Sequence, residues 1–147
     1  MSDLRFSIHA TAETAARTRV TAREFSVIVD EPPELGGTNE GPNPVEYVLA
    51  ALAGCLNVVG HLVAGELGFT LHGLEIEAEG ELNPARLMNQ PTEDRAGYKV
   101  VRVVLKPTAD VDDALLARWL KIVESRCPVS DTVGNDTPVN LSVRKKD

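Results

Sequence analysis

The segment "NPVEYVLAALAGCLNVVGHLVAGELGF" (residues 43–69) constrains the fold more than any other part of the chain. Asn43 can cap a helix that has Pro44 at its first position, and Glu46 follows three residues after the cap, as in a capping box. We predict that the helix ends at Gly68. Because the helix is apolar on nearly every side, it needs protein around its whole circumference. A chain of 147 residues has trouble supplying that, which favours a homodimer with this helix near the interface.

The remaining patterns indicate antiparallel strands and a second long helix. Strands are predicted within residues 19–32, 71–82, 98–107 and 138–146, and the second helix within residues 110–127. In the 71–82 strand, aliphatic residues alternate with glutamates, so one face of this strand should be solvated. Pro128 can begin a further short helical turn with Cys127 as its cap. Together these patterns predict a single α+β domain over residues 1–147, with antiparallel sheet strands and two long helices.

Charge and hydropathy narrow the function classes. The net charge of −7 argues against binding to nucleic acid or to anionic lipid, since both require basic patches. The first twenty residues show no apolar signal-peptide core. The apolar run of the long helix is interrupted by Asn57, His61 and two glycines, which favours a core helix over a membrane span. We therefore expect a cytoplasmic protein without membrane or nucleic-acid partners.

The common motifs of metal and nucleophile sites are missing from the sequence. The candidate metal ligands are Cys55, Cys127, His9, His61 and His72, and they show no CxxC or HxxxH spacing. There is no GxSxG elbow for a serine nucleophile, and the loop "GGTNEGPNP" lacks the lysine of a phosphate-binding loop. We predict neither a metal nor a cofactor, and the two thiols remain as the chemical candidates.

The local settings of the two thiols differ. Cys55 lies about three turns inside the long helix, where the helix dipole is too far away to stabilise a thiolate. Cys127 lies at a predicted helix start beside Arg126, and both features favour its thiolate. His61 is rotated by about 120° from Cys55 around the helix and does not share its face.

"LGGTNEGPNPVEYVLAALAGCL", followed some seventy residues later by "CPVSDT", resembles the OsmC/Ohr family (osmotically induced protein C and the organic hydroperoxide resistance proteins). The shared features are a Gly-Gly loop, an Asn-Pro helix start, a glutamate in the first turn, a mid-helix cysteine and a Cys-Pro-Val-Ser run. The resemblance implies an intertwined α+β homodimer with two sites at the subunit interface. It also implies a thiol-dependent peroxidase that reduces organic, and in some members inorganic, hydroperoxides.

The resemblance also implies roles for individual residues. Cys55 would attack the peroxide and become a sulfenic acid, and Cys127 would resolve it to a disulfide. An external thiol, in one branch a dihydrolipoyl protein, would reduce that disulfide. Glu46 matches the helix glutamate that pairs with an arginine, although it equally fits a purely structural role in the capping box.

The arginine itself would come from the N-terminal hairpin, where Arg17, Arg19 and Arg23 are candidates. Arg19 and Arg23 have the parity of Phe25 and Val27, which indicates the face that becomes core. Arg17 shares that parity but lies closest to the turn, and we select Arg19.

A second hypothesis belongs to a different class. The same interface pocket could bind an apolar ligand in a stress-related protein whose thiols react poorly. Rapid loss of free thiol on adding one equivalent of cumene hydroperoxide would favour the peroxidase hypothesis over the ligand-binding one.

Overall fold

The computed structural model of the protein describes all 147 residues. The strands are β1 (His9–Ala12), β2 (Thr18–Ala22), β3 (Phe25–Val29), β4 (Gly73–Glu81) and β5 (Val100–Thr108). The helices are α1 (Pro44–Glu66), α2 (Asp113–Arg126) and α3 (Pro128–Gly134), and a 3-10 turn spans Pro33–Leu35. Both sheets are antiparallel, so the predicted α+β class is confirmed. The chain forms two compact units, residues 1–50 and residues 51–147.

The first unit is built on an antiparallel sheet of three strands in the order β1–β2–β3. A two-residue turn joins β2 to β3, with Arg23 in the left-handed region at φ 53° and Ala22 paired with Phe25. The sequence predicted this hairpin but not β1, whose residues lack a clear alternation. The Tyr47 hydroxyl donates a hydrogen bond to the Ile28 carbonyl at 2.6 Å, which fixes the first turn of α1 to β3.

Helix α1 ends in a Schellman motif at the predicted glycine. Gly68 adopts the left-handed conformation at φ 80°, and its N–H donates to the Gly65 carbonyl at 3.1 Å. The Phe69 N–H donates to the Ala64 carbonyl at 3.0 Å. These two bonds satisfy carbonyls that the helix end would otherwise leave unpaired.

The core of the second unit lies where α1, α2 and the β4–β5 sheet meet. Its buried side chains from α1 are Leu52, Leu56, Val59, Val63 and Ala64, which recur at helical spacing along one face. Trp119 of α2 is 2% exposed, and its indole N–H donates to the Gly60 carbonyl at 2.8 Å. A Cβ at Gly60 would lie 3.0 Å from the Trp119 ring, so glycine permits this close approach of the two helices.

The opposite face of α1 is not covered by this chain. Val58 and Leu62 are 65% and 54% exposed, so one chain does not surround this helix, as its length led us to expect. By length and composition alone α1 could cross a membrane, a property that core helices of soluble proteins share.

Strands β4 and β5 form a hairpin with the predicted solvated face. The register pairs Gly73 with Thr108 at one end and Glu81 with Val100 at the other. The glutamates of β4 are exposed and meet cations of β5, since Arg102 lies 2.7 Å from Glu81 and Lys106 is paired with Glu77.

The predicted closing strand is wrong for the single chain. Residues 138–146 form neither helix nor strand, because no strand of this chain pairs with them. Their alternating apolar side chains, Val139, Leu141 and Val143, are 77%, 93% and 97% exposed.

We predict that Trp119→Ala lowers the free energy of unfolding by about 3–5 kcal/mol, because it empties the centre of the core. Leu120→Ala is the matched control on the same helix. Leu120 is 42% exposed, so its loss should be about 1 kcal/mol or less. Urea unfolding followed by far-ultraviolet circular dichroism measures both, and equal losses would contradict this placement of Trp119.

Candidate functional site

The fold brings the two thiols of the chain together. Cys55 lies in the middle of α1, is partly buried and packs against the core. Cys127 lies between α2 and α3 and is 1% exposed. Cys55 packs against the buried cluster that contains Cys127, and the interaction with Cys55 helps to raise the pKa of the Cys127 thiol. A thiol pair in contact can exchange a proton, and its sulfurs can form a disulfide on oxidation.

Local backbone geometry fixes the position of Cys127. Its N–H donates to the Val123 carbonyl at 3.1 Å, which closes α2. Its sulfur accepts the Ser130 N–H at 3.4 Å, and Pro128 occupies the first position of α3. Cys127 is therefore the cap that the sequence predicted, and it serves both helices at once.

The cap does not make Cys127 an acidic thiol. Burial raises the pKa of the Cys127 thiol and outweighs the Ser130 N–H, while contact with Cys55 raises it further. Arg126 is engaged elsewhere, in a two-pronged ion pair with both carboxylate oxygens of Glu66. The expectation that the helix start and Arg126 would favour the Cys127 thiolate is therefore wrong, because burial dominates and the cation is already paired.

A cavity of about 500 Å³ lies close to the segments that carry the two thiols. Leu52 and Leu56, which flank Cys55 on α1, line it together with Ser130, which caps Cys127. Its further apolar walls come from β5 and α2, and its charged lining residues Arg95, Lys99 and Glu124 are exposed. The volume falls in the range of small-molecule pockets.

Glu46 forms the predicted capping box in the first unit. Its N–H donates to the Asn43 side-chain oxygen at 2.9 Å, and its carboxylate accepts the Asn43 N–H at 2.8 Å. The prediction of the helix start is confirmed. Glu46 makes no ion pair with an arginine within this unit.

The three candidate arginines have different surroundings. Arg17 has a 24% exposed side chain and pairs with Glu13 at 3.0 Å and with Glu40. Arg19 is 46% exposed and pairs with Glu13 at 3.1 Å. Arg23, in the hairpin turn, is 76% exposed and lies over the Phe25 ring. Among the three, Arg17 alone is paired with the loop that leads into α1.

The register of the hairpin corrects the predicted face of Arg19. Arg19 pairs with Ile28, and residues directly opposite on antiparallel strands share a face. Its guanidinium accordingly lies 3.5 Å from the Ser26 hydroxyl, on the face opposite to Phe25 and Val27. Odd-numbered residues of β2 do not share a face with odd-numbered residues of β3, because the two-residue turn pairs each odd position with an even one.

Asp30 is an organising residue that the sequence reasoning missed. Its carboxylate is 0% exposed and accepts the Thr38 hydroxyl at 2.7 Å and the N–H groups of Glu31 and Glu40. The Thr38 hydrogen bond, assisted by these N–H groups, lowers the pKa of Asp30 to about 2. The same Thr38 hydroxyl lies 2.9 Å from the Glu40 carboxylate, so Asp30 holds the loop that presents Glu40 to Arg17. The sequence signal for this role was an aspartate directly after a strand of alternating apolar residues.

The Gly-Gly loop that closes around Asp30 needs glycine at its second position. A Cβ at Gly37 would lie 1.9 Å from the Glu31 carbonyl oxygen. No three His, Cys, Asp or Glu side chains are grouped so as to hold a metal ion.

A half-buried thiol on a core helix, packed in the same core as a buried thiol at a helix cap, defines a dithiol protein of α+β fold. The chain belongs to the OsmC-like protein family, which it matches over residues 37–142.

Comparisons with individual proteins agree with this membership. The uncharacterized protein YmaD of Bacillus subtilis (strain 168) is 32% identical over 120 residues, covering 78% of this chain and 75% of YmaD. An OsmC-like protein from Mycoplasma pneumoniae superposes with a TM-score of 0.78 at 19% identity, over 90% of this chain and 89% of that one. An organic hydroperoxide resistance protein from Legionella pneumophila gives 0.65 at 19% identity, over 90% and 91% of the two chains. The predicted fold family is confirmed.

Proposed function

We propose that the protein is a cysteine-based peroxidase that reduces organic hydroperoxides, with Cys55 as the attacking thiol and Cys127 as the resolving one. The observation that carries this proposal is that both thiols lie in one core, near a cavity whose walls include leucine and valine side chains. Similar folds in Legionella pneumophila and Elizabethkingia anophelis bear the name organic hydroperoxide resistance protein, which supports the same chemistry here.

The proposed peroxidase reaction has three steps. The Cys55 thiolate attacks the outer peroxide oxygen, the O–O bond breaks, and the sulfur keeps the hydroxyl group as a sulfenic acid. The alkoxide takes up the proton that the thiol released on ionising and leaves as an alcohol. Cys127 then attacks the sulfur of the Cys55 sulfenic acid, a disulfide forms and the hydroxyl group leaves as water. An external dithiol reduces the disulfide by thiol–disulfide exchange and is itself oxidised.

The cavity lining supports a substrate with an apolar body. Leu52, Leu56 and the β5 valines offer apolar contact to an alkyl or aryl group, which hydrogen peroxide lacks. Organic hydroperoxides are therefore the proposed substrates, and inorganic peroxide a poorer one. Regeneration of the thiols requires a reducing compartment, so we place the protein in the cytoplasm with a thiol reductant, of which a dihydrolipoyl protein is one candidate.

A homodimer is part of the proposal. The uncovered face of α1, with Val58 and Leu62, is too apolar to remain in water. The C-terminal segment 138–146 and the N-terminal residues Leu4, Phe6 and Ile8 likewise expose alternating apolar side chains. A second copy of the chain would cover these surfaces, and family membership supports this occupant.

For the arginine that serves the thiolate, we propose Arg17 paired with Glu40, ahead of the sequence choice of Arg19 with Glu46. The Arg17–Glu40 ion pair is held by the Asp30–Thr38 network. Arg19 and Glu46 remain predictions, and substitution decides between the two pairs.

The first prediction concerns the thiols. Wild-type protein should lose free thiol rapidly on addition of one equivalent of cumene hydroperoxide. Cys55→Ser should abolish peroxide consumption, and Cys127→Ser should allow one turnover followed by overoxidation, as mass spectrometry of the cysteines would show. If the native protein keeps both thiols free, the peroxidase proposal is refuted and the hypothesis of a protein that binds an apolar ligand is favoured. Equal residual turnover in both variants would contradict the assigned roles.

The second prediction concerns the arginines. Arg17→Gln should slow the reaction with cumene hydroperoxide by about tenfold, since in its proposed role Arg17 supplies the positive charge that favours the ionised form of the attacking thiol. Arg17→Lys should restore part of the rate. Arg23→Gln, in the exposed turn, is the control that should match wild type. A larger loss in Arg19→Gln than in Arg17→Gln would return the role to Arg19.

The third prediction concerns assembly. Light scattering should give a dimer mass for the wild type, and Leu62→Asp should shift it towards the monomer, because a carboxylate would be buried at the interface. Lys121→Asp, an exposed polar position on α2, is the control. A monomeric wild type would remove the dimer from the proposal.

A further inference from the structure

The ion pair between Glu66 and Arg126 joins the last turn of α1 to the last turn of α2, directly before Cys127. Arg126 binds both carboxylate oxygens of Glu66, one of them at 3.1 Å. Glu66 lies about 16 Å further along α1 than Cys55, so the guanidinium is drawn towards the C-terminal end of that helix. The cation adjacent to Cys127 in the sequence is thus bound by a carboxylate at the end of α1.

The charged groups of the nearby cavity, Arg95, Lys99 and Glu124, are exposed, and none of them contributes to the pKa of Cys127. Cys55 faces it from α1, and Asp131, on α3, donates its N–H to the Cys127 carbonyl at 3.0 Å. The Asp131 carboxylate accepts from the Asn135 side chain at 3.2 Å. Neither Cys55 nor Asp131 supplies a positive charge.

We propose that Glu66 is a positioning residue for the resolving step: by holding Arg126, it keeps Cys127 a neutral thiol beside Cys55. This inference rests on the proposed function for its biological meaning. Burial raises the pKa of the Cys127 thiol, in agreement with it.

A neutral Cys127 serves both halves of the reaction. Before oxidation, two thiolates in contact would repel each other, whereas a neutral thiol can donate its S–H to the Cys55 sulfur. After oxidation, the Cys127 proton accompanies the departing hydroxyl group. The sulfenic acid and the thiol then yield one disulfide and one water with no outside proton.

The test uses a Cys55→Ser background, which leaves Cys127 as the single thiol and needs no peroxidase activity. The rate of iodoacetamide alkylation and the thiolate ultraviolet absorbance are measured against pH at low ionic strength, because the ion pair is partly exposed and screened by salt. The absorbance does not depend on reagent access to the buried sulfur.

Glu66→Gln should free Arg126, shift both profiles to lower pH and raise alkylation at neutral pH by about threefold. That figure combines about tenfold more thiolate per pKa unit with the lower nucleophilicity of a more acidic thiol. Arg126→Gln breaks the same ion pair without freeing a cation, so its absorbance profile should not move to lower pH. Glu66→Asp keeps the carboxylate and should restore the parental profile.

Glu81→Gln, which removes the exposed ion pair with Arg102 on the β4–β5 hairpin, is the matched control and should behave as the parent. An unchanged profile in Glu66→Gln would overturn the proposal. Equal shifts in Glu66→Gln and Arg126→Gln would also overturn it, since they would report only a loosened α2–α3 junction. A protein that shows the predicted shift but consumes no hydroperoxide would refute the proposed function and leave this inference standing.

Discussion

The approach of Trp119 to Gly60 is the contact on which the second unit depends. The indole fills the space that a side chain at position 60 would occupy and donates a hydrogen bond to the carbonyl there. Because this contact sets the separation of α1 and α2, it also sets where the end of α2 delivers Cys127. The position of the thiol pair is therefore a consequence of core packing. No motif around Cys55 is needed to bring Cys127 close to it.

Two opposing effects act on the pKa of Cys127, and their balance agrees with the different roles that we propose for the two thiols. A helix cap supplies an N–H that favours a thiolate, while burial and the neighbouring Cys55 disfavour it, and burial is the larger effect. The neighbouring cation is bound by Glu66, at a helix end where an unpaired carboxylate would be unfavourable. This balance agrees with the proposal that Cys127 is a resolving thiol that stays protonated before the resolving step.

Features set by neighbouring residues could be predicted from the sequence, and features set by distant ones could not. The α1 start at Asn43, its end at Gly68 and the Cys127 cap all depend on a few adjacent residues. The face of Arg19 depends on the register across a turn, and the engagement of Arg126 depends on a glutamate sixty residues away. The prediction of a closing strand was wrong for the same reason, since a strand forms only where another backbone pairs with it. The family resemblance named the two cysteines, but only the fold shows that they lie in the same core.

Trp119 is the single tryptophan of the chain and lies wholly within the second unit. Selectively excited tryptophan emission will therefore follow the melting of the α1–α2 core and not that of the β1–β3 sheet. Its indole also lies in the same core as the thiol pair, so oxidation that strains or relaxes α2 should change the emission. The residue that holds the fold together doubles as its spectroscopic reporter.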